Sequence, residues 1–200
     1  MSDTLDRLNI VRKLGQEHFH AGEMPLDFDL LSFWQWCSSD LVDNTMRGVL
    51  AEYIVARDLG VENSIRIGWD AYDLKTKEGV KVEVKSAAYL QSWKQKNLSA
   101  ISFDVRPTLA YDGNTNEYET ERKRQADVYV FALLKHQQKS TLDPLDVMQW
   151  EFYILSAAML DEKIQTQKRI SLSTLMRLEP IKADFGQITV TIKKIFPHPK

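Results

Sequence analysis

Hydrophobic positions recur at helical spacing in the first part of the chain. The spacing predicts three helices, over residues 3–19, 27–38 and 44–59. The first is amphipathic, and the second is rich in tryptophan and phenylalanine. Asp43 or Asn44 can cap the third helix, and Gly60 follows its end. A helical extension is therefore expected before the main sheet.

After residue 60 the pattern changes to an alternation with a period of two. Strands are predicted over 64–69, 71–76, 80–86, 99–105, 149–155 and 188–192. The continuous apolar run at 128–134 predicts a central strand that is covered on both faces. Residues 107–125 are polar and predict a loop, and short helices are expected near 156–164 and 171–178. Helices mixed with strands indicate an α/β or α+β fold.

The length and composition are those of one globular domain. The chain has 200 residues, of which 44% are hydrophobic and 27% charged, and these values exclude disorder, collagen and coiled-coil rods. We expect a single domain over 1–200. Its expected parts are a helical extension at 1–42, a catalytic core at 43–135, and strands and short helices at 136–200 that complete the sheet.

Charge and cysteine content narrow the classes of function. The net charge is −2, so a nucleic-acid partner would need a local basic patch. The single cysteine, Cys37, excludes an internal disulfide and a cysteine-rich zinc site, and its apolar neighbours predict a buried, inert thiol. No secretory signal and no membrane-spanning stretch are recognisable, so a cytoplasmic location is expected. No glycine-rich phosphate loop ending in Lys-Ser/Thr is found, so intrinsic use of ATP is not expected.

A predicted hairpin brings two acidic residues together. Residues 77–79 form a three-residue loop in which Gly79 takes the left-handed position. Thr76 then pairs with Val80, which places Asp73 opposite Glu83. Asp73, Glu83 and Lys85 share one face, while the other face carries Tyr72, Leu74, Val80, Val82 and Val84.

This pairing suits a divalent cation. Two opposed carboxylates lie roughly 5 Å apart and repel one another. When Mg²⁺, Mn²⁺ or Ca²⁺ lies between them, both carboxylates are attracted to the cation and the arrangement becomes favourable. Lys85 can orient or deprotonate a water, or neutralise charge on a phosphate. The acid-x-Lys triplet alone is uninformative, since it occurs four times where composition predicts about two. A solvated strand face with alternating charges is the alternative.

Glu52, on the third predicted helix, has no basic residue at helical neighbour positions. A carboxylate among small and apolar residues is costly to bury without a partner. Glu52 therefore either points into a polar pocket over the sheet or turns to water at the helix edge.

Three motifs in this order resemble the PD-(D/E)XK nuclease superfamily, which has the restriction-endonuclease-like fold: Arg47-Gly48-x-x-x-Glu52, Asp73, and Glu83-Val84-Lys85. The resemblance covers about residues 44–135, and it departs from the motif's name because Tyr72 replaces the proline. It implies a mixed central sheet flanked by helices, here with extra N-terminal helices.

The resemblance also implies a site. Mg²⁺ or Mn²⁺ would be held by Asp73, Glu83 and the carbonyl of Val84, Lys85 would act on water, and Glu52 would assist. Asp70 is the rival of Asp73, but it lies at an odd separation and would face the other way.

Basic residues near this hairpin are candidate phosphate contacts. The candidates for nucleic-acid binding are Ser86, Gln91, Lys94, Arg106, Arg122, Lys123 and Arg124. Tyr89 and Trp93 are interleaved and either stack on bases or belong to the core.

The resulting prediction is a metal-dependent DNA endonuclease of restriction or DNA-processing type. One alternative is a nuclease-like protein that binds nucleic acid without cutting it, and another is a structural protein without metal affinity. A homodimer is compatible with the sequence.

Overall fold

The computed structural model describes residues 5–68, 70–113 and 115–197. Within these ranges the helices are α1 (Leu30–Ser38), α2 (Asn44–Leu59), α3 (Ala157–Ile164), α4 (Leu172–Arg177) and α5 (Ile188–Ile195). The strands are β1 (His18–Ala21), β2 (Met24–Asp29), β3 (Leu74–Lys75), β4 (Lys81–Ala88), β5 (Ser102–Asp104), β6 (Tyr111–Asp112), β7 (Glu117–Tyr118), β8 (Val128–Leu134), β9 (Trp150–Ser156), β10 (Arg169–Ser171) and β11 (Ile181–Ala183). Short 3₁₀ turns lie at Lys139–Thr141 and Val147–Gln149.

A five-stranded mixed sheet forms the centre, in the order β11-β9-β8-β4-β3. Strands β4 and β8 are parallel, and the other neighbours are antiparallel. All seven residues of β8 are buried, as the apolar run predicts for a strand covered on both faces. The predicted α/β class, with a mixed central sheet flanked by helices, is confirmed.

Alternate residues of the central strands feed two hydrophobic clusters. Val82 and Val84 of β4 pack with α2 and α5 on one face of the sheet. Tyr129 and Phe131 of β8 pack with α3, α4 and β5 on the other face. Tyr72, which was expected on the face of Val82, packs against this second cluster instead. The two-residue period of a strand explains how one sheet serves both layers.

Helix α2 begins and ends where the sequence predicts. The Asp43 carboxylate accepts hydrogen bonds from the N–H groups of Thr45 and Met46, which satisfies the first turn. Gly60 closes the helix in the left-handed conformation, with φ of 65°. This helix packs on β4 and carries Glu52 to the edge of the sheet.

Several predicted elements differ from the structure. Residues 5–17 are not helical, and at Gly15 a φ of +96° beside the ring of Trp34 excludes a helix. Residues 3 and 4 lie outside the described ranges. No strand forms over 64–68, and residue 69 lies outside the described ranges. The strand expected at 71–76 is reduced to β3, and the loop at 107–125 contains the small hairpin β6–β7.

Two further predictions are wrong. The segment 188–192, expected as a strand, is the start of helix α5, because Ile188 and Ile192 face the core four residues apart. Cys37 is exposed rather than buried, since α1 buries none of its residues. No helix among the described residues is long and apolar enough to cross a membrane.

Candidate active site

The predicted acidic hairpin forms with the expected register. Leu74 pairs with Val82 and Lys75 with Lys81. The N–H of Thr76 donates to the Val80 carbonyl across a turn closed by Gly79, whose φ is +95°. Because β3 begins only at Leu74, which pairs with Val82, no residue of β3 pairs with β4 from Glu83 onward, and we call this side the open edge of β4. Asp73 lies beside this open edge.

Asp73 is tied to β4 through its carboxylate. The N–H of Val84 donates a 2.7 Å hydrogen bond to Oδ2 of Asp73. The N–H and C=O of one strand residue point to the same side, so the Val84 carbonyl faces the same edge as Asp73. Burial, followed by the negative charges of Glu83 and Glu52, raises the pKa of Asp73 to about 7. The carboxyl groups of Asp73, Glu83 and Glu52 therefore lie close enough for their negative charges to repel one another.

Glu83 and Lys85 lie two residues apart on one face of β4 and form an ion pair. The distance from Nζ of Lys85 to Oε1 of Glu83 is 2.6 Å, and both side chains are largely buried. Burial alone would lower the pKa of Lys85, but the charge and hydrogen bond of Glu83, and then Asp73, raise it above its ordinary value. Lys85 is therefore an ammonium group held among carboxylates.

Glu52 lines a cavity of mixed polar and apolar character and is largely withdrawn from water. Its side chain is 12% exposed, and Arg66 forms a two-pronged ion pair with it at 2.5 and 2.9 Å. Glu52, Arg66 and Asp73 line the same cavity of about 130 Å³. Glu52 has no basic neighbour on its own helix, and its partner Arg66 comes from the loop after α2, which the helical pattern does not show.

Asp70 occupies a different environment from Asp73. Its carboxylate is exposed, lies 4.0 Å from Arg7, and does not line the cavity. Of the two rivals, only Asp73 approaches Glu52 and Glu83.

The donor set at this edge fits a hard divalent cation. Asp73 and Glu83 supply carboxylate oxygens, the Val84 carbonyl faces the same side, and the negative charge there exceeds what Lys85 neutralises. Two carboxylates completed by a carbonyl and waters are typical of Mg²⁺. Across residues 5–68, 70–113 and 115–197, no three Asp, Glu, His or Cys side chains form a ready cage by themselves. The carbonyl and waters would thus be needed to complete the coordination.

Tyr129 is a neighbour that the sequence did not reveal. It lies opposite Glu83 in the parallel pairing of β4 and β8, and its ring is buried. Burial, followed by the charge of Glu83, raises the pKa of its hydroxyl. The sequence predicts β8 as a uniformly buried strand, but it does not give the register that sets Tyr129 beside Glu83.

Four of the predicted nucleic-acid contacts are exposed. Lys94 lines a basic cavity of about 460 Å³ together with Lys96 and Lys139. Arg106 is held by Asp104, Lys123 forms an ion pair with Glu119 at 2.9 Å, and Arg122 is exposed. Trp93 is about half exposed, whereas Tyr89 packs against the second hydrophobic cluster.

The other three candidates are engaged inside the protein. Arg124 is buried and donates to the carbonyls of Val105 and Gln165 and to Asp161, so it stabilises the fold instead of contacting phosphate. Gln91 is buried and donates to the Ala88 carbonyl and the Ser99 hydroxyl. Both expectations are corrected, since buried, satisfied groups cannot meet a nucleic acid without unfolding their surroundings.

Ser86 accepts a 3.1 Å hydrogen bond from Nε of Arg47, a buried side chain that the sequence did not single out for its own role. Arg47 also donates to the Val42 carbonyl and to Gln91 and Asn44. It thereby joins the start of α2 to the end of β4, and its burial lowers its pKa.

The sequence profile of a protein family described as bacteriophage T4 endonuclease IV matches residues 32–174. The match covers more than two thirds of the chain and includes α2, β3, β4 and β8. No curated protein is significantly similar to the chain in sequence.

Proposed function

Because the chain belongs to the bacteriophage T4 endonuclease IV family, we propose that it is a metal-dependent endonuclease that hydrolyses DNA phosphodiester bonds at the open edge of β4. The observation that carries the proposal is the meeting of Asp73, Glu83 and Lys85 at this edge, beside Glu52. Neither the metal nor the reactive site follows from family membership alone.

The position of each residue at the open edge of β4 indicates its role in the proposed reaction. Asp73, Glu83 and the Val84 carbonyl would hold Mg²⁺ or Mn²⁺, which when bound supplies Lewis acidity and an activated water. Lys85 holds its ammonium beside these carboxylates, where it orients the attacking water and offsets negative charge on the phosphate. Glu52 adds negative charge to the pocket and keeps Arg66 at its mouth.

In this proposal, exposed basic side chains recognise the phosphates of the substrate. Lys94, with Lys96 and Lys139, lines a cavity with no acidic residue, which suits phosphate oxygens. Arg106 is held by Asp104, whose charge also acts on Lys85, so this guanidinium belongs to the neighbourhood of the acidic edge.

The test is cleavage of single- and double-stranded DNA and RNA with Mg²⁺, with Mn²⁺ and with EDTA. We expect cleavage of DNA that needs the metal, and a loss of about 10²-fold or more in Glu83→Gln. Glu162→Gln is the matched control, because Glu162 is an exposed acid that also pairs with a lysine, Lys163.

A protein that binds DNA and metal without cleaving either strand would contradict the proposal and favour a non-catalytic binding role. Cleavage that persists in EDTA would contradict the metal, and full activity in Glu83→Gln would contradict the site.

A further inference from the structure

Helix α1 has a broad apolar face, with Ser32, Gln35 and Ser38 together on its polar side, and yet it buries none of its residues. Six of its nine residues are Leu, Phe, Trp or Cys, and none is charged. Among its exposed large hydrophobic residues, exposure runs from 37% at Trp34 to 85% at Trp36. A helix normally packs its apolar face against other parts of the protein, and a helix of this length is marginal in water on its own. Something must therefore cover α1.

The hairpin β1–β2 continues the same exposed surface. Its residues Phe19 and Phe28 stack with ring centroids 4.6 Å apart, and both are exposed. Strand β2 leads directly into α1, and the segment before β1 is bonded to the start of the helix, because Leu30 N–H donates to the Glu17 carbonyl and Leu31 N–H to that of Gly15. We call the exposed surface of the hairpin and the helix the apolar patch: Phe19, Met24, Phe28, Leu31, Phe33, Trp34 and Trp36.

Elsewhere in residues 5–68, 70–113 and 115–197, no segment buries the apolar patch. Residues 5–14 contact the segment after α2 through exposed polar side chains, such as Arg12 with Asn63 and Arg7 with Asp70. In the same stretch, Leu5, Leu8 and Leu14 are also highly exposed. The region therefore presents more apolar surface than a monomer needs.

The size of the patch matches one half of a stable interface. With large side chains contributing about 150–250 Å² each, the exposed fractions sum to roughly 540–900 Å². A standard protein interface buries about 800 Å² on each partner. Because α1 has no charged residue, its contact with an identical helix across a two-fold axis brings no like charges together.

We propose that the apolar patch is the interface through which two copies of this chain form a two-fold symmetric dimer. The proposal does not depend on the hydrolytic site, which lies on a different part of the sequence.

Sedimentation velocity of the full chain tests this directly. From about 1 μM to about 100 μM we expect the mass to rise to twice the 23.1 kDa of one chain. The double variant Phe33→Glu/Trp36→Glu should stay monomeric over this range, because it places charges in the contact. Met148→Glu is the matched control, since Met148 is 73% exposed and lies outside the patch.

The single cysteine supplies a second readout in the unaltered protein. Cys37 lies in α1 beside Trp36 and is exposed in one chain. Its labelling rate with a thiol reagent should fall as protein concentration rises, and it should stay constant in the double variant. A monomer at about 100 μM, a dimer that survives both charges, or labelling independent of concentration would each overturn the proposal.

Discussion

Replacing Asp73 with asparagine removes one negative charge from the acidic edge and keeps an oxygen for the Val84 N–H. In the metal-free protein Asp73 faces the charges of Glu83 and Glu52. Glu83 has Lys85 as a partner, and Glu52 has Arg66, so Asp73 is the acid whose charge is least compensated. We therefore expect Asp73→Asn to stabilise the protein in EDTA.

The size of the expected gain in stability follows from the pKa of Asp73. Burial and the two neighbouring acids raise the pKa of Asp73 from 3.8 to about 7. Since one pKa unit is about 1.4 kcal/mol, the upper bound is about 4 kcal/mol, and relaxation of the exposed edge reduces the expected gain to about 2 kcal/mol. In a chain of this size that raises Tm by about 4–8 °C.

The raised pKa of Asp73 determines how the difference in stability between the parent and Asp73→Asn changes with pH. Below 3.8 the carboxyl is protonated in both states, so the parent and the variant should melt alike. As pH rises toward about 7 the parent should lose stability relative to Asp73→Asn, and the difference should then level off. With Mg²⁺ or Mn²⁺ at alkaline pH the difference should shrink or invert, because only the parent gains full binding energy.

Thermal melts across pH, in EDTA and with metal, provide the assay. Asp70→Asn is the matched control and should change stability by less than about 0.5 kcal/mol, because Asp70 is exposed. If Asp73→Asn does not raise Tm in EDTA at alkaline pH, the acids do not repel one another as the geometry implies.

Three further predictions address the fold and the binding surface. Arg124→Ala should lower the free energy of unfolding by about 3 kcal/mol in chemical denaturation, because it leaves buried carbonyls unpaired, and an unchanged midpoint would contradict this. Replacing Lys94, Lys96 and Lys139 together with Ala should weaken DNA binding and reduce the salt slope by up to about three, and an unchanged slope would remove this cavity from the interface. Gly60→Ala should cost about 1 kcal/mol in a thermal melt, because φ is 65° at that position, and no loss would contradict the assigned cap.

Local signals account for the elements that the sequence predicts well. Asp43 and Gly60 bound α2 as expected, because a cap and a left-handed glycine act within a few residues of the helix ends. The register of Leu74 with Val82 follows from the three-residue turn at Gly79. The turn at Gly79 is by itself enough to bring Asp73 to Glu83.

Elements that depend on distant contacts were not predictable. Helix α5 is capped from outside, because the Asp58 carboxylate on α2 accepts the N–H groups of Ile188 and Thr189. The alternation of Ile188, Val190 and Ile192 resembles a strand, although Val190 is exposed on the helix. The ion pairs of Arg66 with Glu52 and of Arg124 with Asp161 join residues that are distant in sequence, so a local sequence pattern does not show them.

The most direct test of the hydrolytic site is the single-turnover rate of DNA cleavage by Lys85→Ala with saturating protein and Mg²⁺. Lys163→Ala is the control, because Lys163 also pairs with a neighbouring acid at 2.6 Å but lies on the surface. We expect Lys85→Ala to lose about 10²-fold or more in rate while its fold and DNA affinity persist, and Lys163→Ala to cleave like the parent. Equal rates in the two variants would contradict the assignment of the open edge of β4 as the site of phosphodiester hydrolysis.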